Sequence, residues 1–128
     1  MWGKNVAYIV VRESRYTKEF IDSSDTFSLN FFDSDKKEIR DSLNFLGTVS
    51  GRDNDKKIMD AHMNTNTYVD SSNNETPYID EASMVFICRK MFAQELTKDS
   101  FISPEIAKWY KDEDYHTLYI AQIETMLK

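Results

Sequence analysis

The chain has 128 residues, enough for one ordinary domain with a core but not for two, and an apolar fraction of 41% typical of globular proteins. Its 16 Lys and Arg residues stand against 22 Asp and Glu, and the net charge of -6 argues against nucleic acid or anionic membranes as general partners, leaving room for a local basic pocket. The single cysteine, Cys88, excludes an internal disulfide and lies in an apolar run, where a buried structural thiol is commoner than a catalytic one.

The first apolar run is too short to span a bilayer and lacks the features of a signal peptide. We therefore expect a cytoplasmic protein. The run Val6–Arg12 is typical of a fully buried strand, yet it begins almost at Met1 with nothing upstream to pair with it. This position suggests that a preceding segment is missing.

The first half of the chain predicts two strands and two helices. After the strand at Val6–Arg12, a short helix is expected to begin at Thr17, whose hydroxyl would cap it. Alternating apolar residues over 26–32 predict a half-buried strand. A second helix is expected to be capped by Asp35 and to stop at Gly47, which would adopt a left-handed conformation.

The second half predicts a loop, two long strands and a short helix. Residues 64–77 are polar and indicate a loop, whereas residues 82–96 and 115–127 are typical of strands. Between the strands, Ser103 is the expected cap of a short helix with a proline at its first position. The sum is an α+β protein with strands first and last.

Several familiar sites have no counterpart in the sequence. The two histidines, His62 and His116, lie too far from each other and from the cysteine for zinc spacing, so we expect no metal. There is no serine nucleophile elbow, no phosphate loop and no dinucleotide-binding glycine motif. A nucleotide, if it binds, is not held by one of those loops.

Gly51 stands in a predicted turn whose composition suits anion binding. Gly51 precedes a predicted helix start, where Asp53 or Asn54 would be the cap. Basic residues follow the turn, namely Arg52, Lys56 and Lys57. A turn that directs N–H groups toward an anion has this composition, but so does a plain connector between helices with solvated charges, and the stretch alone favours the connector.

A similar basic cluster follows the first strand. It consists of Arg12, Arg15 and Lys18, between a strand and a helix start. Two cationic turns in an acidic protein could converge on one phosphate, where charge-assisted hydrogen bonds are strong. The hypothesis predicts that Arg15 and Lys56 point into a common cavity.

Four segments, in order and spacing, resemble the flavin reductase-like proteins with the FMN-binding split-barrel fold. They are "VRESRYTKEFIDSSDTFSLNFF", "LNFLGTVSGRDNDK", "EASMVFICRKMFAQEL" and "DYHTLYIAQI", and together they extend over nearly the whole chain. The resemblance implies an α+β fold, an FMN-binding split β-barrel with short flanking helices, and a single domain over residues 1–128. It also implies a homodimer with FMN bound at the subunit interface.

The resemblance assigns roles to individual residues. It implies that the flavin phosphate meets the turn of residues 14–17 and that residues 50–52 and Lys56 lie close to the same cofactor. The full cofactor-binding set, with one residue of the first basic cluster added, is Arg12, Ser14, Arg15, Tyr16, Thr17, Ser50, Gly51, Arg52 and Lys56. His116 matches the family's late histidine near the flavin and is the catalytic candidate, although a lone histidine beside a strand is more often a structural hydrogen-bonding group.

Two departures from the family leave two functions open. The sequence as given begins at Met1 without the family's first segment, which we expect to be missing, and the late strand has Ala121 and Gln122 where relatives favour glycine and glutamate. The first function is hydride or electron transfer between NAD(P)H and FMN, in which the flavin performs the redox step. The alternative is a non-catalytic dimeric flavin-binding or structural relative that has lost turnover.

Overall fold

A computed structural model describes residues 1–128, which form six strands, three α-helices and two 3₁₀ helices. The strands are β1 (Val6–Arg12), β2 (Thr26–Phe31), β3 (Thr65–Val69), β4 (Glu75–Ile79), β5 (Met84–Glu95) and β6 (His116–Leu127). The α-helices are α1 (Tyr16–Ser23), α2 (Lys37–Thr48) and α3 (Lys57–Asp60), and the 3₁₀ helices are Lys98–Ser100 and Pro104–Tyr110. No helix is both long and apolar enough to cross a lipid bilayer.

Four strands form an antiparallel sheet in the order β1-β6-β5-β2. The two longest strands, β5 and β6, lie in the centre and pair with each other over nearly their whole length. Their register shifts twice, between Ile87 and Cys88 and between Lys90 and Phe92. Bulges of this kind bend a strand and increase its twist, so the sheet curls into a half-barrel.

The hairpin of β3 and β4 lies beside β2 and is attached to it by hydrogen bonds that involve side chains. The hydroxyl oxygens of Thr26 and Thr76 are 2.6 Å apart, and the Ser28 hydroxyl donates a hydrogen bond of 2.8 Å to the Pro77 carbonyl. The Ile79 N–H also donates to the side-chain carbonyl of a β2 asparagine, at 2.9 Å. Since no backbone ladder joins β2 to β4, the hairpin forms its own two-stranded sheet.

The main apolar core lies on one face of the sheet, beneath α1. Cys88, Tyr119 and Ala121 are fully buried there, and Ile21 fixes α1 against them. A second, smaller cluster packs under the hairpin around Val85. Burial, assisted by a nearby glutamate, raises the pKa of the Cys88 thiol to about 11, so this cysteine is a packed and protonated side chain, as predicted.

The apolar patterns predicted the four sheet strands correctly, but the loop predicted at residues 64–77 is wrong. That segment forms β3, β4 and the turn between them. Its strands are polar because most of their side chains face solvent. The Asp70 carboxylate organises the turn by accepting N–H hydrogen bonds from Ser72 and Asn74, at 2.8 and 2.9 Å.

The predicted helix caps are also wrong. Helix α1 follows Arg15, and α2 follows Lys36, and neither helix start has a side-chain cap. Gly47 lies inside α2 without a positive φ, because the helix continues for another residue and closes when the Val49 N–H donates to a carbonyl in the preceding turn. The short helix after Ser103 was predicted correctly in position; it is 3₁₀ and has no hydroxyl cap.

Candidate functional site

A large cleft lies between the first basic turn, residues 12–18, and the second basic turn, residues 50–57, and we call it the turn cleft. Its volume is about 810 Å³, within the range of cavities that hold a drug-sized ligand or cofactor. It is lined by residues 14–17, Phe20, residues 46–51, residues 53–55, Lys57 and Ile58. The fold thus brings together the two segments that the sequence predicted to converge.

The first turn presents hydrogen-bond donors that have no partner in the chain. The N–H groups of Tyr16 and Thr17 open α1 and make no hydrogen bond, and the Thr17 hydroxyl is likewise unpaired. The Arg15 guanidinium is exposed and forms neither a hydrogen bond nor an ion pair. Arg15, Tyr16 and Thr17 all line the turn cleft, at the N-terminus of α1, where the helix dipole favours negative charge.

Several backbone donors in the second turn are used within the turn itself. The N–H groups of Asp53 and Asn54 both donate to the Ser50 carbonyl, and the Arg52 N–H donates to the Ser50 hydroxyl. The Asn54 side chain in turn accepts the Lys56 N–H at 3.0 Å, just before α3, so the asparagine predicted as a cap does stabilise the turn. The N–H groups of Ser50, Gly51 and Asp55 make no hydrogen bond and these residues line the turn cleft, so the second turn also keeps backbone donors for a ligand.

Gly51 joins the two turns by close packing. A Cβ atom at this position would lie 3.0 Å from Cδ2 of Tyr16, which is too close for unperturbed packing. The Tyr16 ring also meets Phe20 edge to face, with centroids 4.8 Å apart, and the Arg52 guanidinium lies 5.0 Å from the ring centroid. The space left by the missing side chain is thus occupied by Tyr16, and Gly51 has no positive φ.

The cations of the second turn differ from the prediction in their roles. Arg52 pairs with Glu19 at 3.2 Å, and the Lys57 ammonium donates to the carbonyls of Leu46 and Val49 at the end of α2. Lys57 lines the turn cleft, whereas Lys56 is exposed, has no partner and does not line it. The expected pairing of Arg15 with Lys56 across one cavity is therefore replaced by Arg15 and Lys57.

Two carboxylates also line the turn cleft, Asp53 and Asp55. They balance the formal charges of Arg15 and Lys57, so the lining as a whole is neutral. An anion is therefore most favoured near the start of α1, where Arg15 lies beside unpaired N–H groups.

Arg12 and His116 lie outside this lining, opposite each other in the pairing of β1 with β6. The Arg12 guanidinium donates to the carbonyls of Trp109 and Asp114, both at 3.0 Å. Nδ1 of His116 is 2.6 Å from the Tyr110 hydroxyl oxygen. Burial, together with the nearby Arg12 charge, lowers the pKa of His116, so its ring is neutral at pH 7.

Lys18, the third member of the first basic cluster, is a buried structural residue. Its ammonium lies 2.6 Å from Asp22 and 3.1 Å from Glu13, and the Tyr119 hydroxyl donates to the other Asp22 oxygen at 2.5 Å. The hydrogen bond to Asp22 outweighs burial and raises the pKa of Lys18. The network ties α1 to the centre of the sheet and so fixes the direction in which the start of α1 points.

Ser14 is held by a carboxylate that sequence reasoning missed. Its N–H donates to Oδ1 of Asp114 at 2.9 Å, and its hydroxyl donates to Oδ2 at 2.5 Å. These hydrogen bonds, with help from the charges of Arg12 and Arg15, lower the pKa of Asp114. The signal was present in the sequence, since Asp114 stands just before β6 at the end of the sheet where β1 finishes.

A second cavity, of about 420 Å³, lies between α2 and the segment after α3. Its lining includes four carboxylates, those of Glu38, Asp41, Asp60 and Glu81. An anion is disfavoured there, so the turn cleft is the better candidate site for a phosphate-bearing ligand.

Comparison with solved structures agrees with this architecture. Flavoredoxin from Methanosarcina acetivorans superposes over 96% of this chain with a TM-score of 0.64 at 20% identity. The FMN-binding protein from Thermus thermophilus with bound p-hydroxybenzaldehyde matches over 100% of this chain with a TM-score of 0.66 at 14% identity. The Streptomyces globisporus C-1027 NADH:FAD oxidoreductase SgcE6 also matches over 100%, with a TM-score of 0.57 at 10% identity.

The chain has the α+β fold of the FMN-binding split barrels. Its structural neighbours are flavin reductase-like FMN-binding proteins, as the sequence resemblance implied. The chain spans about half the length of these neighbours, 52% of the flavoredoxin, 57% of the Thermus thermophilus protein and 56% of SgcE6. No model of a protein family matches the sequence, and no curated protein matches it either.

Proposed function

We propose that the chain binds FMN and that the flavin phosphate is held at the start of α1 in the turn cleft. One observation carries the proposal: Arg15, the N–H groups of Tyr16 and Thr17, and the Thr17 hydroxyl line this cleft without partners. A dianion is the ligand that uses a free guanidinium, two helix N–H groups and a hydroxyl together. The chemistry of the donors therefore fits the phosphate of FMN, for which the neighbouring FMN-binding proteins are named.

In this proposal the residues of the two turns bind and orient the cofactor. Arg15 supplies the charge, α1 supplies the N–H groups, and Ser50 and Gly51 form the opposite wall. The hydrogen bond from the Tyr119 hydroxyl of β6 to Asp22 of α1, which also pairs with Lys18, holds α1 in place beneath them. When bound, the flavin supplies hydride or electron transfer, and the chain needs no nucleophile of its own.

We propose flavin reductase-like oxidoreductase activity, with NAD(P)H as the reductant. The similarity to SgcE6, an NADH:FAD oxidoreductase, supports this activity. The second candidate is a flavin-binding protein without turnover, and the placement of His116 favours it. That histidine pairs with Tyr110 and does not line the turn cleft, so it has no direct contact with a ligand there.

We further propose a homodimer in the cytoplasm, with residues 1–128 as one domain. β1 is an edge strand, and its outward side chains Tyr8 and Val10 are 58% and 53% exposed. Trp109 and Met126 are each 62% exposed as well. Exposed apolar residues of this size commonly mark an interface, and light scattering after gel filtration would measure the mass.

A titration of FMN fluorescence with the purified chain tests the cofactor proposal. Arg15→Ala is expected to weaken FMN binding by roughly tenfold or more, because a charge-assisted contact to phosphate is lost. Lys37→Ala, which removes an exposed cation on α2 paired only with Asp41, is the matched control and should leave binding unchanged. Riboflavin, which lacks the phosphate, should bind more weakly than FMN and respond little to Arg15→Ala.

The outcome separates the candidates. FMN binding with oxidation of NADH or NADPH supports the oxidoreductase, and FMN binding without oxidation supports the binding protein. Equal affinities of the parent chain and Arg15→Ala would contradict the phosphate assignment, and the absence of any FMN binding would contradict both candidates.

A further inference from the structure

We propose that Asp114 determines phosphate affinity at the turn cleft by acting as an internal competitor for the donors of Ser14. The inference rests on the proposed function, because it concerns the same phosphate position. Asp114 offers two oxygens and a negative charge to the turn where the proposed ligand would offer three oxygens and two charges. A ligand that reaches Ser14 must displace this carboxylate.

The geometry resembles that of a bound anion. Both donors of Ser14, its N–H and its hydroxyl, are directed at one carboxylate, at 2.9 and 2.5 Å. Arg12 and Arg15 lie close enough for their charges to favour the ionised form. Ser14 and Arg15 also line the turn cleft, next to the unpaired N–H groups of α1.

The loop that carries Asp114 does not depend on this carboxylate for its position. The Arg12 guanidinium binds the Asp114 carbonyl at 3.0 Å, and the Glu13 N–H donates to the Tyr115 carbonyl at 3.2 Å. These backbone contacts remain when the carboxylate is neutralised or moves away. The side chain is therefore free to exchange with a ligand while the loop stays in place.

The sign of the effect on affinity distinguishes this role from a structural one. As a competitor, Asp114 lowers the affinity for a dianion, since it occupies donors and repels a second negative charge. As a latch that only positions the turn, it would raise that affinity. Neutralising it should thus strengthen binding under the proposal and weaken it under the structural alternative.

The test compares Asp114→Asn with the parent chain in titrations with FMN, riboflavin and inorganic phosphate. Asp114→Asn should bind FMN roughly three- to tenfold more tightly, as expected for removal of one charge several ångströms from a phosphate. Riboflavin affinity should not change. Glu113→Gln is the matched control, because it removes the same charge one residue before Asp114. The Glu113 side chain makes no hydrogen bond or ion pair, so its change should have a smaller effect on FMN affinity.

A second variant shows whether the gain acts through Ser14. Ser14→Ala in the Asp114→Asn background should remove much of the gain, because the hydroxyl released by the first change is then missing. Phosphate titrations followed at the Ser14 amide by NMR should show a larger shift in Asp114→Asn than in the parent chain. Circular dichroism checks that each variant folds.

Each outcome counts for or against the proposal. Unchanged or weaker binding of FMN and phosphate in a folded Asp114→Asn chain overturns it, and so does an equal gain in Glu113→Gln. If no variant binds FMN but inorganic phosphate reaches Ser14 more readily in Asp114→Asn, the role of Asp114 stands and the proposed cofactor fails. If FMN binds and Asp114→Asn has no effect, the cofactor stands and the competitor fails.

Discussion

The two basic turns have similar compositions but differ in how they use their cationic side chains. In the first turn, between β1 and α1, buried Lys18 pairs with Glu13 and Asp22, while Arg15 and the first N–H groups of α1 remain unpaired. In the turn between α2 and α3, Arg52 and Lys57 are engaged with Glu19 and with the end of α2. The comparison teaches that a cation near a helix start is available to a ligand only where the surrounding structure leaves it without an acceptor.

The largest expected effect is on stability and concerns the cation that the first turn buries. Lys18→Met should lower the free energy of unfolding by about 2 kcal/mol, because it removes the cation that pairs with Asp22 and Glu13 and leaves Asp22 with only the Tyr119 hydroxyl as a partner. Urea unfolding measures the change. Lys37→Met removes an exposed helix cation and should cost less than about 0.5 kcal/mol, and equal losses in the two variants would show that the buried network is not special.

The next prediction sets one arginine of each turn against the other. Arg15→Ala should weaken FMN binding by roughly tenfold with little change in stability, since the side chain has no partner in the chain. Arg52→Ala should lower stability by about 1 kcal/mol, through loss of the Glu19 pair and the contact with the Tyr16 ring, and should affect FMN binding less. FMN titration and urea unfolding measure the affinity and the stability of both variants. Weaker FMN binding in Arg52→Ala than in Arg15→Ala, with the larger loss of stability in Arg15→Ala, would contradict the comparison.

A smaller effect is expected where the two turns touch. Gly51→Ala places a methyl group 3.0 Å from Cδ2 of Tyr16. The ring must therefore shift, which should lower the free energy of unfolding by about 1 kcal/mol. In the Tyr16→Ala background the same change should cost much less, because the obstructing ring is gone. Additive losses in the double variant would mean that the contact is not the reason for the glycine.

The strands could be predicted from the sequence because their apolar side chains repeat with a period that the backbone imposes. β5 and β6 are long and apolar on their buried face, and both were predicted. β3 and β4 were missed because the hairpin is held by polar bridges such as Thr26 to Thr76, which leave no apolar pattern. A side-chain hydrogen bond between distant segments has no local signature.

The candidate site was partly predictable for a similar reason. The turns at residues 14–17 and 50–55 stand out in composition, and the fold brings them to one cleft. Which cation is left unpaired depends on acceptors elsewhere in the chain, such as Glu19 for Arg52 and the Trp109 carbonyl for Arg12. Those partners are set by the tertiary fold, so a list of basic residues alone could not rank Arg15 above the others.

The smallest expected effect is the pH dependence that the first turn contributes. Burial opposes ionisation of Asp22, but hydrogen bonds from Lys18 and Tyr119 outweigh it, and the pKa of Asp22 lies below its ordinary value of 3.8. The unfolded chain therefore takes up this proton at a higher pH than the folded chain, so the stabilisation is present above the ordinary value and is lost as the pH falls through the lowered one. Asp22→Asn should accordingly flatten the acid limb of stability against pH, whereas Asp41→Asn, which changes an exposed carboxylate on α2, should leave its slope nearly unchanged. Urea unfolding between about pH 5 and pH 2 tests this. An unchanged acid limb in Asp22→Asn would mean that protonation of Asp22 does not contribute to the loss of stability in acid.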